Sequence, residues 1–381
     1  MIDPAPAPKR KRLKLKITLM LLVTFGLFEA GLRVVLFRSE VGESFDSLRQ
    51  AHLYARRTSR EYFTLKHVLT DPEKRRPTRY DPNLGWTHQR FDSKTYDHPN
   101  RDRLGQRRPV LFYGDSFAAC VTEPKDCWQG LVAESELSAE FCLMNYGVGG
   151  YGFDQTCLLV HDTLELWQGN DPVVVVSLLV DADLDRAALP FFSWPKPDWT
   201  IAADGHAQYE APIIKGNDEW IAANGIGVTS FAWNWFVNGS GLLPGSWVDA
   251  LSGENAHRTR VESLTRSLLD DLQTELDGRG LEWFVLVFHG LKHFRADDRV
   301  AVAADWREPF LLSELDKRGI RYVGSKADLK QSLANDNQNL WSHFVENGPS
   351  RRHYTPSGNR AVFETLSRGL MGGADGPHPA R

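Results

Sequence analysis

The sequence predicts an α/β protein, a three-layer α/β/α arrangement around a parallel sheet with one apolar helix ahead of it. Three observations carry that reading. Short apolar runs recur at Pro109–Tyr113, Phe141–Met144, Val173–Val180, Trp283–Phe288 and Ile320–Val323. Unbroken runs of that length suit strands buried on both faces. Helical patterns alternate with them: after Ser116, at Gln155–Leu166, at Glu254–Leu276, at Trp306–Arg318 and after Pro356. Finally, six basic residues between Lys9 and Lys16 precede the largely apolar stretch Ile17–Phe37.

That first stretch sets the address. Its 21 residues at ~1.5 Å rise span a hydrocarbon core of about 30 Å. The basic flank, residues 1–16, predicts a cytoplasmic N-terminus with the rest of the chain outside, a single-pass protein of the inner (cytoplasmic) membrane. Glu29 and Arg33 interrupt the stretch four residues apart, so they can pair on one helix face. A cleaved leader with Ile17–Phe28 as its core is the rival reading, but no small-x-small site comes after it. A buried amphipathic helix is the third. Residues 38–107 read as a stalk and lead-in: Gly42–Arg79 is polar and helix-leaning, and Ser93–Arg108 is charged and turn-rich.

The main domain is expected over 108–371. Its first strand runs into Gly114-Asp115-Ser116. Glycine lets the chain turn sharply where the strand ends, which places Ser116 at the carboxyl edge, where open α/β sheets hold ligands. A serine there, beside the amides that open a helix, is placed to act as a nucleophile. Phe141–Met144 leads into the glycine-rich Asn145–Gly152. The strand Val173–Val180 is followed by Asp181-Ala182-Asp183-Leu184-Asp185. Residues 190–247 break the rhythm and read as a Trp/Pro/Gly-rich insertion over the active-site face. Its Trp194, Trp199, Trp220, Trp233 and Trp235 either stack on sugar rings or pack an insertion core. The helix at Glu254–Leu276 is apolar at Val261, Leu264, Leu268 and Leu272. His289 ends the strand Trp283–Phe288 and is a secondary candidate base. Near the far end, His353 precedes the helix start at Pro356-Ser357, on a loop that can reach the mouth of the first strand. The tail 372–381 is Gly/Pro-rich and expected to be disordered.

Taken together, Gly114-Asp115-Ser116, Asn145-Tyr146-Gly147-Val148-Gly149-Gly150-Tyr151-Gly152 with Asp154-Gln155, and His353-Tyr354-Thr355-Pro356-Ser357-Gly358-Asn359 resemble the blocks of the SGNH (GDSL-type) hydrolases, in their membrane-anchored bacterial envelope members. Asp81-Pro82-Asn83-Leu84-Gly85-Trp86 resembles their lead-in. The resemblance spans roughly residues 80–370 and implies a flavodoxin-like fold. It implies Ser116 as nucleophile, His353 as general base, and the backbone N–H groups of Ser116 and Gly150 as an oxyanion hole. Gly114, Asp115 and Asn145 would support it. A glycine at 150 also suits the close approach of a backbone donor to substrate.

Two positions depart from that pattern. Ala182 stands where the family's third block supplies an asparagine donor, a loss worth on the order of a hundred- to a thousandfold in rate elsewhere. Ser350 and Arg351 occupy the positions of the aspartate that orients the histidine. Glu346, Asp336 or an aspartate of 181–185 could supply the acid from another loop, and a Ser–His dyad is equally open.

Composition is that of an ordinary globular chain, 42% hydrophobic and 25% charged with a net charge of −4. Basic residues are scattered beyond the N-terminus, so no nucleic-acid footprint is expected. The cysteines lack metal spacing, and no metal or cofactor is called for. Cys120 and Cys127 could close a short bridge after the nucleophile, with four free thiols as the other reading. The expected protein is a membrane-anchored serine esterase or acyl transferase on acylated envelope glycans. The alternative is a weakened or inactive relative that binds glycan or assists polysaccharide assembly.

Overall fold

The computed structural model describes residues 9–38, 43–70, 79–87, 91–92, 94–303, 305–337 and 339–376. In chain order its main elements are α1 (Lys9–Phe37), α2 (Arg60–Leu69), the hairpin β1 (Arg79–Asp81) and β2 (Gly85–Thr87), β3 (Arg108–Tyr113), α3 (Ser116–Ala119), α4 (Trp128–Glu134) and β4 (Phe141–Asn145). Next come α5 (Phe153–Leu164), β5 (Val173–Leu179), α6 (Asp183–Ala187), the hairpin β6 (Trp199–Ile201) and β7 (Ala207–Tyr209), α7 (Phe231–Asn238) and α8 (Gly245–Leu251). The chain closes with α9 (Glu254–Gly278), β8 (Glu282–Phe288), α10 (Arg307–Arg318), β9 (Tyr322–Gly324), α11 (Lys326–Asn335) and α12 (Pro356–Leu370).

These elements form two compact units. One joins the chain up to Arg76 with Ile221–His257; the other joins Pro77–Trp220 with Arg258–Arg381. The segment 190–247 is therefore shared between the two.

The larger unit holds a five-stranded parallel sheet in the order β4-β3-β5-β8-β9. Alternation assigns its side chains to two layers. Leu111, Tyr113, Val174, Val176, Val285 and Val287 face a core with α5, α9 and α10. Val110, Phe112, Val173, Val175, Phe284 and Leu286 face a second core with α4, α11 and α12. Burial on both faces explains why the strand sequences are apolar without a break. The chain leaves β3 for β4 on one side, then returns to β5 on the other. The loops after β3 and β5 thus diverge, and a crevice opens at their carboxyl ends.

The five strands of the sheet and the helices expected at 155–166, 254–276 and 306–318 are found to within two or three residues, whereas α1 starts eight residues before Ile17, and α7 and the start of α8 lie in the stretch read as irregular. The tail differs: Gly372–Gly376, expected to be disordered, docks on the sheet edge. Asp375 gives its amide to Tyr322 O at 2.9 Å and accepts the Gly324 N–H at 2.8 Å, which satisfies groups that an edge strand leaves open. Residues 377–381 lie outside the described residues, as do 39–42 and 71–78 of the expected stalk.

The smaller unit is built on α1. Leu13–Phe37 is long and apolar enough to cross a membrane, with a mean hydropathy of 2.0. Glu29 and Arg33 pair at 2.7 Å as their spacing anticipates. Leu32 and Leu36 are buried in a core with Ala51, Tyr54, Leu65, Phe231 and Ala232.

Candidate active site

β3 delivers the nucleophile candidate to the crevice. Gly114 takes φ +149°, and a Cβ there would lie 2.1 Å from Ser177 Oγ, the hydroxyl that donates to Tyr113 O across β3 and β5. Only glycine fits this turn. Asp115 caps α3 by accepting the Phe117 N–H at 2.8 Å, so Ser116 becomes the first helical residue.

His353 meets Ser116 from the other end of the chain, with Nε2 2.8 Å from Ser116 Oγ. Its Nδ1 lies 3.0 Å from Ser350 O. A carbonyl oxygen only accepts, so Nδ1 carries the proton and Nε2 presents a lone pair to the serine hydroxyl. The ring also stacks on Phe117, with centroids 4.9 Å apart. The loop that carries it is tied by Val345 N–H to His353 O, Arg352 N–H to Val345 O, and Thr355 N–H to His343 O.

None of the carboxylates considered for orienting the base lies beside it. Asp181 pairs with His293 and Lys292, Asp183 with Arg186, and Asp185 with Arg307. Asp336 is 4.0 Å from His343, and Glu346 is exposed. Among the described residues, the orienting partner of His353 is the Ser350 carbonyl. His289 is also placed elsewhere. It is 2% exposed, with Nε2 on Glu308 and Nδ1 on Ser325 Oγ, while its carbonyl accepts the Tyr354 hydroxyl. Burial depresses its pKa, and its role is to hold the loop that carries His353.

The glycine-rich loop lies against Ser116. Asn145 is buried; its amide donates to Ala118 O at 2.9 Å and its oxygen accepts the Gly147 N–H. It is a brace between β4 and α3. A Cβ at Gly147 would fall 2.2 Å from Ala119 N, and one at Gly149 3.8 Å from Ser116 Cβ. Gly150 has φ +86° and faces the rings of Phe192 and Trp86. Among the described residues, neither the Ser116 N–H nor the Gly150 N–H donates to a protein acceptor.

Trp86 has a part that its motif does not disclose. Its indole N–H donates to Gly149 O at 3.1 Å. In a trans peptide the carbonyl and the next N–H point in opposite directions, so this bond also fixes the Gly150 N–H.

Buried charges hold the loop from behind. Asp154 receives Lys196 Nζ on both oxygens at 2.8 Å and the Trp199 indole at 3.1 Å. Both groups are fully buried, and burial pushes the Asp154 carboxyl up and the Lys196 ammonium down. Gln155 closes the loop through Gly152 N and Leu84 O. Beside Asp115, Arg186 bridges Asp115 at 2.8 Å, Asp183 at 2.9 Å and Tyr151 O at 3.3 Å, and lies over the Phe192 ring. Burial and the neighbouring Asp115 raise the Asp183 carboxyl well above its ordinary range. Ala182, at the end of β5, offers no side-chain donor.

Cys120 and Cys127 are bridged, while Cys142 and Cys157 are free. Asn359, one residue of the histidine block, grips that bridge region: its amide reaches Cys120 Sγ, Thr122 Oγ1 and Asp126 O. Of the tryptophans, Trp199 and Trp220 are buried, Trp235 packs on Phe28, and Trp233 is exposed.

No family model and no curated protein matches the chain. Solved structures with a related course include a catalytic mutant of Axe2, an acetylxylan esterase from Geobacillus stearothermophilus, at 11% identity and TM-score 0.33 over 72% of this chain and 97% of that one. Another is a two-domain esterase (CEX) active on acetylated mannans, co-crystallized with mannopentaose, at 13% identity and TM-score 0.34 over 74% of this chain and 55% of that one. At these identities and scores the likeness assigns no activity to this chain.

Proposed function

We propose that the protein is a membrane-anchored serine esterase or acyl transferase that works through an acyl-Ser116 intermediate. The observation that carries this is the Ser116–His353 contact, with the imidazole tautomer set by the Ser350 carbonyl. His353 Nε2 takes the hydroxyl proton as Ser116 Oγ attacks the ester carbonyl. The Ser116 and Gly150 amides stabilise the oxyanion, and His353 returns the proton to the departing alcohol. Water as the second acceptor completes hydrolysis; a sugar hydroxyl completes transfer. Phe192, half-buried beside Gly150, gives the site an aromatic wall, and an O-acylated envelope glycan is the substrate class we assign.

Retention of α1 as an anchor is supported by Phe28 and Glu29, which pack on Trp235 and accept the Ser230 hydroxyl and the Ala232 N–H, since cleavage after Ala30 would remove both. A binding role on a retired hydrolase fold is favoured by two features, Ala182 and the lack of a carboxylate on His353. Labelling of the full chain in detergent with a fluorophosphonate decides between them. Labelling of the wild type that is lost in Ser116→Ala and in His353→Ala is the expected result. An unlabelled wild type whose circular dichroism shows it folded overturns the enzyme reading.

A further inference from the structure

Inside the smaller unit, α1 carries more than its own length. Glu29, within the apolar span, accepts the Ala232 N–H at 2.8 Å and the Ser230 hydroxyl at 3.0 Å, both at the start of α7. Arg33 donates to Thr229 O at 3.1 Å and lies over the Phe231 ring. Phe28 packs edge-on against Trp235, and Phe37 against Phe231. Thus α7 is pinned to α1 from Phe28 to Phe37.

The depth of that contact comes from arithmetic on α1 and rests on its reading as an anchor. Glu29 stands thirteen residues after Lys16, about 20 Å along a helix axis, in a hydrocarbon core of about 30 Å. With the Lys16 ammonium at the inner boundary, Glu29 is about two-thirds of the way across and Phe37 reaches the outer boundary. A helix bonded at the level of Glu29 is then inside the outer leaflet.

The chain around and beyond α7 suits that position. From Ile221 to Val248 it has no Asp, Glu, Lys or Arg. Phe231 and Val237 are buried, but four of its large apolar side chains point outward: Trp233 is 45% exposed, Leu242 73%, Trp247 62% and Leu251 48%. Charge returns at Asp249, which is neutralised by Arg56 at 2.5 Å. Tryptophan with leucine and no charge is the composition of a membrane–water interface. It would be a costly surface in water.

We propose that residues 231–251 form a second membrane contact, an aromatic and leucine-rich face seated in the outer leaflet beside the anchor, with phospholipid as its partner. Glu29 is thereby accounted for: its charge inside the bilayer is met by Arg33 and by the amide at the start of α7. The smaller unit becomes a two-point mount that fixes its own tilt on the bilayer, where a lone helix would leave it free to swivel.

The test uses the full chain in vesicles of phosphatidylethanolamine and phosphatidylglycerol, with Cys142→Ala and Cys157→Ala to leave no free thiol. A nitroxide is attached in turn at Leu21→Cys, Leu242→Cys, Trp247→Cys and, as an exposed control, Asp204→Cys. We expect labels at 21, 242 and 247 to collide several-fold more with oxygen than with a water-soluble nickel chelate, and the label at 204 to show the reverse. An aqueous signal at 242 and 247 with a lipid signal at 21 overturns this inference and leaves the anchor standing. Shielding of 242 and 247 from both agents means that protein covers them, and overturns it too. An aqueous signal at 21 removes the anchor and the inference with it. A check without labels is tryptophan quenching by bromolipids, which should fall in Trp233→Phe/Trp247→Phe.

Discussion

Ser350 contributes to the site through an atom that every residue possesses. Its carbonyl, 3.0 Å from His353 Nδ1, sets the tautomer without a side chain. Ser350→Ala should therefore keep fluorophosphonate labelling and ester turnover within about twofold of wild type, because the main-chain acceptor is untouched. Trp86→Phe should behave differently. The ring is kept but the bond to Gly149 O is lost, so the Gly150 N–H is no longer held. We expect kcat to fall roughly tenfold with KM little changed, the pattern for an interaction that matters most in the transition state. A matching fall in binding alone would mean that Trp86 only packs. The proposed nucleophile and base, Ser116 and His353, could be picked out in the sequence because side-chain chemistry names them. The orienting group could not, since a backbone carbonyl has no signature, and the aspartates of 181–185 that could stand in for it are already committed to Lys292, Arg186 and Arg307.

Between elements, two ties keep the reacting groups in register. Asn359, at the start of α12, bonds the loop that Cys120–Cys127 closes behind the nucleophile. Arg360 adds an ion pair to Asp126 at 2.6 Å. Opening the bridge with Cys127→Ser should cost roughly 2–3 kcal/mol for so short a loop, and Asn359→Leu about 1–3 kcal/mol for the donors and acceptors it strands. Because both act on one loop, urea unfolding should show the double variant less destabilised than the sum. The second tie is Lys196–Asp154. Lys196→Met strands a buried carboxylate and should cost about 3–5 kcal/mol, much of it recovered in Lys196→Met/Asp154→Leu. Local pattern does not mark this pair. Asp154 stands in a glycine-rich block and Lys196 in an irregular stretch, with nothing at either position to name the other.

For the molecule as a whole, acid should be the weak side. His289 is buried and its pKa depressed, first by burial. It binds a proton less readily folded than unfolded, so stability begins to fall below about pH 6.5. Burial pushes Glu308 up, but His289 and Lys326 outweigh it and hold the carboxyl at about 2, against an ordinary 4.5. Its contribution is complete above pH 4.5 and is lost as pH falls towards 2. Thermal unfolding measured from pH 8 downwards should show both steps, and Glu308→Gln should lose the lower one. At this scale the sheet is readable, because five apolar runs report strands buried on two faces. The sharing of residues 190–247 between two units is not. Local pattern tells that a segment is irregular, but its packing partners are set by residues far away in the chain, such as Glu29 for Ser230.

The turn that carries His353 has one more implication, for how such proteins are found. Gly348 at φ +87° and Arg352 at φ +72° shape the turn, and what faces His353 is a carbonyl that any residue at 350 would supply. In a saturation scan, position 350 should be almost silent between two sensitive neighbours. A pattern that demands an acidic letter ahead of the histidine would discard this chain and any other that solved the problem with its backbone. On the function proposed above, such a chain would be counted as a dead enzyme for lacking a side chain whose place a carbonyl takes.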